Sequence, residues 1–324
     1  MTKTVSILGA GAFGTALAVA LAQVANIRLW GRNGPKMQTM QDSRQNPKLP
    51  GIPLPANIQA LGDMAQTLRG ADIVLFAAPL QTTAALAGQA AAFITPEQPV
   101  ICCSKGIDIA TGLGGYSTLR AAFADNPVGV LSGPSFAHDI AAGLPSAITI
   151  AAADMAQASD WQTQLSTQTL RLYASDDPLG VELGGALKNV IAIACGAAKG
   201  AKLGDSARAA LITRGYAELT RYGLHRGAKA ETLTGLSGFG DLCLTCTTDQ
   251  SRNFSFGMTL GAGQTPDPSK TVEGTHTACA MANIAMTEGL DMPITLAVAG
   301  LVKGSLSVQD AMHHLLSRPL SKEF

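Results

Sequence analysis

Lys188 is the only charged residue between positions 183 and 198, where Leu187, Val190, Ile191 and Ile193 surround it in sequence. Lysine is almost never fully buried without a partner. Desolvation lowers its pKa towards the working pH and makes a general base of an otherwise inert cation. Asp241, in Gly238-Phe239-Gly240-Asp241-Leu242-Cys243, is likewise the only charge between Glu231 and Asp249. A lone base and a lone acid, each in an apolar stretch, invite the reading that they share one site. A structural buried ion pair is the alternative that composition leaves open. Ser251-Arg252-Asn253 follows shortly, a compact set of donors at an expected helix start, suited to a phosphate.

A second group of residues points to a nucleotide. Gly9-Ala10-Gly11-Ala12-Phe13-Gly14 is a G-x-G-x-x-G that follows an expected strand and opens an expected helix. Gly9 permits the tight turn, Gly11 lets backbone approach a pyrophosphate, and Gly14 lets the helix pack on the strand. The helix N-terminus adds free N–H groups and the positive end of its dipole. An NAD-selective site carries Asp or Glu about 20 residues on. Here the second strand ends Leu29-Trp30-Gly31-Arg32-Asn33, so a cation stands near that place, which suits a 2′-phosphate. NADP(H) is therefore the expected cofactor with NAD(H) second, and a solvated surface cation is the plainer reading of Arg32. In open α/β sheets ligands bind outside the carboxyl ends of the strands. Two further expected strands run into Ser104-Lys105-Gly106 and Ser132-Gly133-Pro134-Ser135-Phe136. Lys105 then reads as a cation aimed at the crevice, or as an exposed loop lysine, with the backbone N–H groups of Gly133 and Ser135 nearby.

The elements that would position these groups follow from periodicity. Strands are expected over 4–8, 27–30, 72–77, 100–103 and 128–131, with 147–151 and 169–173 closing the set. They are short continuous apolar runs, the mark of strands buried on both faces of a parallel sheet. Helices such as 13–24 and 81–93 alternate with them, which argues a doubly wound α/β domain. At Ser175-Asp176-Asp177-Pro178 the character changes, with Asp177 a plausible N-cap and Pro178 fitting a first turn. Helices are expected over 181–199, 206–222, 251–260, 275–288 and 308–316, with no clear strand among them. The expected division is a Rossmann-like NAD(P)-binding domain over 1–177 and an all-helical substrate domain over 178–324. Residues 261–270, with Gly261, Gly263, Pro266 and Pro268, are the most loop-like stretch of the second.

Composition excludes several classes. The 324 residues are 47% hydrophobic, too apolar for a disordered chain, and balance 23 Lys+Arg against 23 Asp+Glu. Zero net charge argues against nucleic acid, whose affinity rests on phosphate neutralisation, though a small anion needs only a few local cations. Six cysteines do not make a disulfide scaffold. The Cys243–Cys246 pair has no second pair to complete a zinc site, so the cysteines read as small buried side chains and no metal is expected. Lys3, the apolar run 8–22 and Ala18-Val19-Ala20 resemble a signal peptide. Gly9, Gly11 and Gly14 interrupt that run and a strand follows, so it reads instead as strand, loop and helix. No other uninterrupted apolar run reaches the ~18 residues of a membrane span, and a cytoplasmic protein is expected.

Taken in order, Gly9 to Gly14, Ser104-Lys105-Gly106, Ser132 to Phe136, Gly184-Gly185-Ala186-Leu187-Lys188-Asn189-Val190, Gly238-Phe239-Gly240-Asp241-Leu242 and Ser251-Arg252-Asn253 resemble bacterial NAD(P)-dependent glycerol-3-phosphate dehydrogenases. The likeness runs to Leu316-Ser317-Arg318-Pro319. It implies a fold like that of 6-phosphogluconate dehydrogenase, a homodimer, and interconversion of dihydroxyacetone phosphate with sn-glycerol 3-phosphate for glycerophospholipid synthesis. A two-domain dehydrogenase of the 3-hydroxy acid type, acting on a substrate without phosphate, is the alternative. The resemblance implies that Lys188 accepts the proton of the C2 hydroxyl. It places Lys105, Gly133, Ser135 and Asp241 along the substrate, and Ser251, Arg252 and Asn253 around its phosphate. It implies cofactor contacts from Ala12, Phe13, Arg32, Lys105, Ala137, Arg252, Thr271 and Glu273. Phe13 stands where the family commonly has Trp or Tyr, and 261–270 is shorter than the family's usual segment before Val-Glu-Gly.

Overall fold

The computed structural model describes residues 2–268 and 270–317. Arg318 and Pro319 lie outside them. Eight strands, β1 (Thr4–Leu8), β2 (Asn26–Trp30), β3 (Ile58–Leu61), β4 (Ile73–Phe76), β5 (Val100–Cys102), β6 (Val128–Ser132), β7 (Ser146–Ala152) and β8 (Leu170–Ser175), form one sheet in the order 3-2-1-4-5-6-7-8. Between them lie α1 (Ala12–Leu21), α2 (Gly34–Ser43), α3 (Met64–Leu68), α4 (Thr83–Ala90), α5 (Gly115–Ala122), α6 (Ala137–Ala141) and α7 (Met155–Leu165). The first six strands are parallel, as expected for a doubly wound sheet. β7 pairs antiparallel with β6, and β8 parallel with β7, so the last two strands run the other way.

Burial on both faces explains why the inner strands read as unbroken apolar runs. In β4, Ile73 and Leu75 join the core cluster on one face while Val74 and Phe76 join that on the other. β1, β5 and β6 divide in the same way. Register then brings the carboxyl ends together: Leu8 lies beside Trp30 and Phe76, and Phe76 beside Cys102. The loops at 9–11, 31–33, 77–79, 103–114 and 133–136 therefore emerge at one edge of the sheet.

The second half contains no strand among the described residues. Its helices are α8 (Pro178–Gly200), α9 (Asp205–His225), α10 (Ala230–Thr234), α11 (Asp241–Cys246), α12 (Arg252–Gly261), α13 (Glu273–Glu288), α14 (Pro293–Lys303) and α15 (Val308–Leu316). Asp177 caps α8 by accepting from Gly180 N at 2.8 Å, and Pro178 occupies its first turn, as the sequence suggests. α8 is long and apolar enough to cross a membrane by composition, yet it is buried within the fold, with helices packed around it. Reciprocal glycines let α12 lie directly on it. A Cβ on Gly196 would come 2.0 Å from Phe254 O, and one on Gly257 would come 2.1 Å from Ile193 O. The expected helix at 81–93 is instead α4 flanked by two short 3-10 turns, Leu80–Thr82 and Ala91–Phe93.

Candidate functional site

Lys188 projects from the middle of α8 and is 6% exposed; Asp241 opens α11 and is 1% exposed. A π-helical turn, Leu236–Gly240, delivers Asp241 to this place, and it packs on α8 where Gly184 leaves room. A Cβ on Gly184 would lie 2.7 Å from Ser237 O. Lys188 Nζ donates to Asp241 Oδ1 at 2.5 Å and to Thr245 Oγ1 at 2.7 Å. Lys105, from the loop after β5, donates to the other carboxylate oxygen at 2.7 Å and to Gly133 O at 2.9 Å. One buried carboxylate thus holds two ammonium groups, one from each half of the chain.

Electrostatics follow from that arrangement. Burial lowers the Lys188 pKa from 10.5 to about 8, and the neighbouring Lys105 charge pushes the same way, while Asp241 opposes both. An amine poised there can give or take a proton near neutral pH. Lysine and aspartate, each isolated in apolar sequence, meet as a buried ion pair, and Lys105 joins them rather than standing as a solvated loop cation. Gly133 turns its carbonyl towards Lys105, and Ser135 Oγ donates to that same oxygen at 3.0 Å. The left-handed φ of +151° at Gly133, hard against the Ile148 backbone, makes this possible.

The donors at 251–253 start a helix, as their types suggest. Ser251 is the N-cap of α12 and accepts from Phe254 N at 3.2 Å. Asn253 donates to Asn189 Oδ1 at 2.8 Å, next to Lys188, and accepts from Gly274 N at 2.9 Å. Arg252 is exposed and donates to Thr271 O at 3.3 Å. Glu273 opens α13; its Oε2 is buried without a hydrogen-bond partner, and burial pushes its carboxyl up. Gly106, beside Lys105, faces that oxygen, with a Cβ position 3.6 Å from it.

Across the sheet edge, the glycine loop fits a dinucleotide. Gly9 has φ +132°, and a Cβ on it would strike the Ala77 backbone at 2.7 Å; one on Gly14 would strike Gly9 O at 2.0 Å. Gly11 differs, since a Cβ there would meet nothing within 4 Å. The fold accounts for the first two glycines and leaves the third free for a ligand that approaches the backbone. Gly11 is also the N-cap of α1 and contributes no side-chain cap, so the first-turn N–H groups remain open to a phosphate. Ala12 opens α1, Phe13 is half-buried beside it, and Ala137 opens α6, which packs on α1. Arg32 is exposed at the end of β2, next to Gly31, whose Cβ position is 3.3 Å from Ala10.

Sequence reasoning missed Thr245 and Asn189. Thr245 lies four residues after Asp241 on the same helix, a spacing that places both on one face, and that signal was available. Cys243 is half-buried and Cys246 buried on α11, in keeping with a packing role.

Comparison with known proteins agrees with this geometry. Residues 4–158 match the family model described as NAD-dependent glycerol-3-phosphate dehydrogenase N-terminus, and 177–313 match the C-terminus of the same family. A glycerol-3-phosphate dehydrogenase (NAD(P)+) of Roseobacter denitrificans is 51% identical over 99% of this chain and 100% of its own length. Another, from Cereibacter sphaeroides, is 50% identical over 98% of this chain and 100% of its own. The crystal structure of glycerol-3-phosphate dehydrogenase from Coxiella burnetii superposes with a TM-score of 0.92 at 36% identity, covering 98% of this chain and 99% of that one. The chain belongs to the NAD-dependent glycerol-3-phosphate dehydrogenase family.

Proposed function

We propose that this chain interconverts dihydroxyacetone phosphate and sn-glycerol 3-phosphate with a nicotinamide cofactor, NADP(H) in preference to NAD(H), and so supplies the backbone of glycerophospholipids. The observation that carries the reading is the Lys188–Asp241–Lys105 cluster at the sheet edge that also bears the glycine loop. When bound, the nicotinamide would give C2 of the substrate a hydride in reduction and accept one from it in oxidation. Lys188 Nζ gives its proton to the oxygen developing on C2 in reduction, and takes it back in oxidation. Asp241 holds that amine on its line by the 2.5 Å bond, and Thr245 Oγ1 fixes a second direction. Lys105, Gly133 and Ser135 orient the substrate from the sheet side, while Ser251, Arg252 and Asn253 receive its phosphate. The phosphate is remote from the reacting bond, so its binding energy serves orientation.

Gly9, Gly11, Ala12, Phe13 and Gly14 take the cofactor's pyrophosphate side, with Ala137, Lys105, Arg252, Thr271 and Glu273 lining the rest and Arg32 meeting a 2′-phosphate. We place the domain division at 177/178, where β8 has ended and α8 begins, and we read the protein as a cytoplasmic homodimer. Oxidation of NADPH followed with dihydroxyacetone phosphate, then repeated with NADH, tests the function. A clear NADH preference would refute the role given to Arg32. Reduction of a keto acid that lacks a phosphate, with dihydroxyacetone phosphate ignored, would favour the 3-hydroxy acid class instead. Gly11→Val should weaken NADPH binding at least about a hundredfold, ~2.7 kcal/mol, while the thermal midpoint stays put. An unchanged dissociation constant by fluorescence titration would remove the pyrophosphate from that place.

A further inference from the structure

Lys105 reaches Asp241 from the loop at 103–114, and a loop that must hold an ammonium against a buried carboxylate needs anchors. Its neck is closed by an antiparallel bridge between Ile107 and Gly114, and by Asp108 N donating to Leu113 O at 2.8 Å. The helical half of the chain grips it at three further points. Ile107 is buried in the core cluster around α8, whose other buried members all come from residues beyond 182. Its N–H donates to Thr277 Oγ1 on α13 at 3.3 Å. The third grip is Glu182.

Glu182 lies on α8, six residues before Lys188. Its carboxylate accepts from Ser117 N at 3.0 Å and from Ser117 Oγ at 2.8 Å, at the start of α5. That helix begins where the Lys105 loop ends, and its N-cap, Gly114, has no side chain to offer. A side chain there and the Glu182 carboxylate exclude each other, for a Cβ on Gly114 would lie 2.1 Å from the Glu182 carboxyl carbon. Glu182 is 6% exposed and has no ion-pair partner among the described residues. A buried carboxylate is costly unless well hydrogen-bonded, and a local Ser or Asn at 114 would cap a helix without that cost. What the distant acid adds is a tie between the end of the Lys105 loop and the helix that carries Lys188.

We propose that Glu182 is a positioning residue: by capping α5 from α8 it fixes the 103–114 loop and so holds Lys105 at Asp241. The kinetic readouts rest on the function proposed above; the exchange readout does not. Glu182→Gln keeps the volume but turns an amide N–H2 towards Ser117, and Ser117→Ala removes one donor with little risk to folding. In E182Q without substrate, amide hydrogen exchange over 104–114 should quicken about tenfold or more. The KM for dihydroxyacetone phosphate should rise about tenfold, with a smaller fall in kcat. Lys188 faces Asp241, Lys105 and Cys246, and Lys105 is the one that moves away. The half-maximal pH for glycerol 3-phosphate oxidation should therefore move up. S117A should show the same signs at smaller size, and it decides the matter if E182Q does not fold. A lower melting temperature with unchanged loop exchange, KM and pH profile in the folded variants would reduce Glu182 to a structural cap. If the unaltered chain does not turn over dihydroxyacetone phosphate, the proposed function fails, and loop exchange alone still decides the positioning.

Discussion

Lys188→Ala should lower turnover about 10³-fold or more in both directions, while nicotinamide cofactor binding stays within about twofold. General acid–base groups contribute roughly 10²–10⁴-fold, and the truncation also removes the group that Asp241 and Thr245 hold in line. The glycine loop lies on the sheet, outside this cluster, which is why cofactor binding is expected to survive. In the unaltered chain the pH dependence has a definite sign in each direction. With Lys188 at about 8, reduction needs the ammonium and falls as pH rises through that value, whereas oxidation needs the free amine and rises through it. Lys188→Arg retains a cation that never deprotonates, so oxidation should stay dead at every pH tested. Steady-state rates from pH 6 to 10, with cofactor affinity measured separately, check both points. More than a tenth of normal turnover in K188A would remove Lys188 from the proton transfer.

Much of this arrangement was legible in the sequence because the physics behind it is local. Strands buried on both faces must be apolar throughout, and β1, β4, β5 and β6 therefore announce themselves. β3 does not, since it is an edge strand whose Gln59 is turned outwards and interrupts the apolar run. The reversal at β7 could not be read either. The 133–145 connection is long enough for a parallel crossover or an antiparallel return, and its length does not choose between them. Lys188 and Asp241 stood out because each is the only charge in an apolar run. Their meeting depends on the π-helical turn at 236–240, where Gly238 gives the Leu233 carbonyl room, and no periodicity in the sequence marks that turn. Glu182 escaped for a related reason. Its partners are amide and hydroxyl donors 65 residues earlier, and nothing near it in sequence signals them.

Asp241→Asn should be the most disruptive single change after loss of Lys188, because two ammonium groups share that carboxylate. The Asp241 charge raises the Lys188 pKa against burial and against Lys105. Without it the lysine titrates lower and loses the bond that aims it, so reductive turnover at pH 7 should fall by up to about 10²-fold, the lower end of what a general acid contributes. The oxidative profile should shift to lower pH at the same time, a signature that simple unfolding would not produce. Stability carries its own sign. Breaking a buried pair costs about 3–5 kcal/mol. Lys188 already has a folded pKa below its ordinary 10.5, so between the two values the unfolded chain binds more protons and stability rises with pH. D241N widens that window downwards, and its deficit in urea midpoint should shrink between pH 7 and pH 10. Adding Lys105→Met to D241N removes the remaining like charge. The double variant should therefore recover part of the lost stability, though not of the turnover, and raise the Lys188 titration again, a coupling that a double-mutant cycle measures directly. Additive losses, or an oxidative profile that stays where it was, would mean that Asp241 does not set the charge on Lys188.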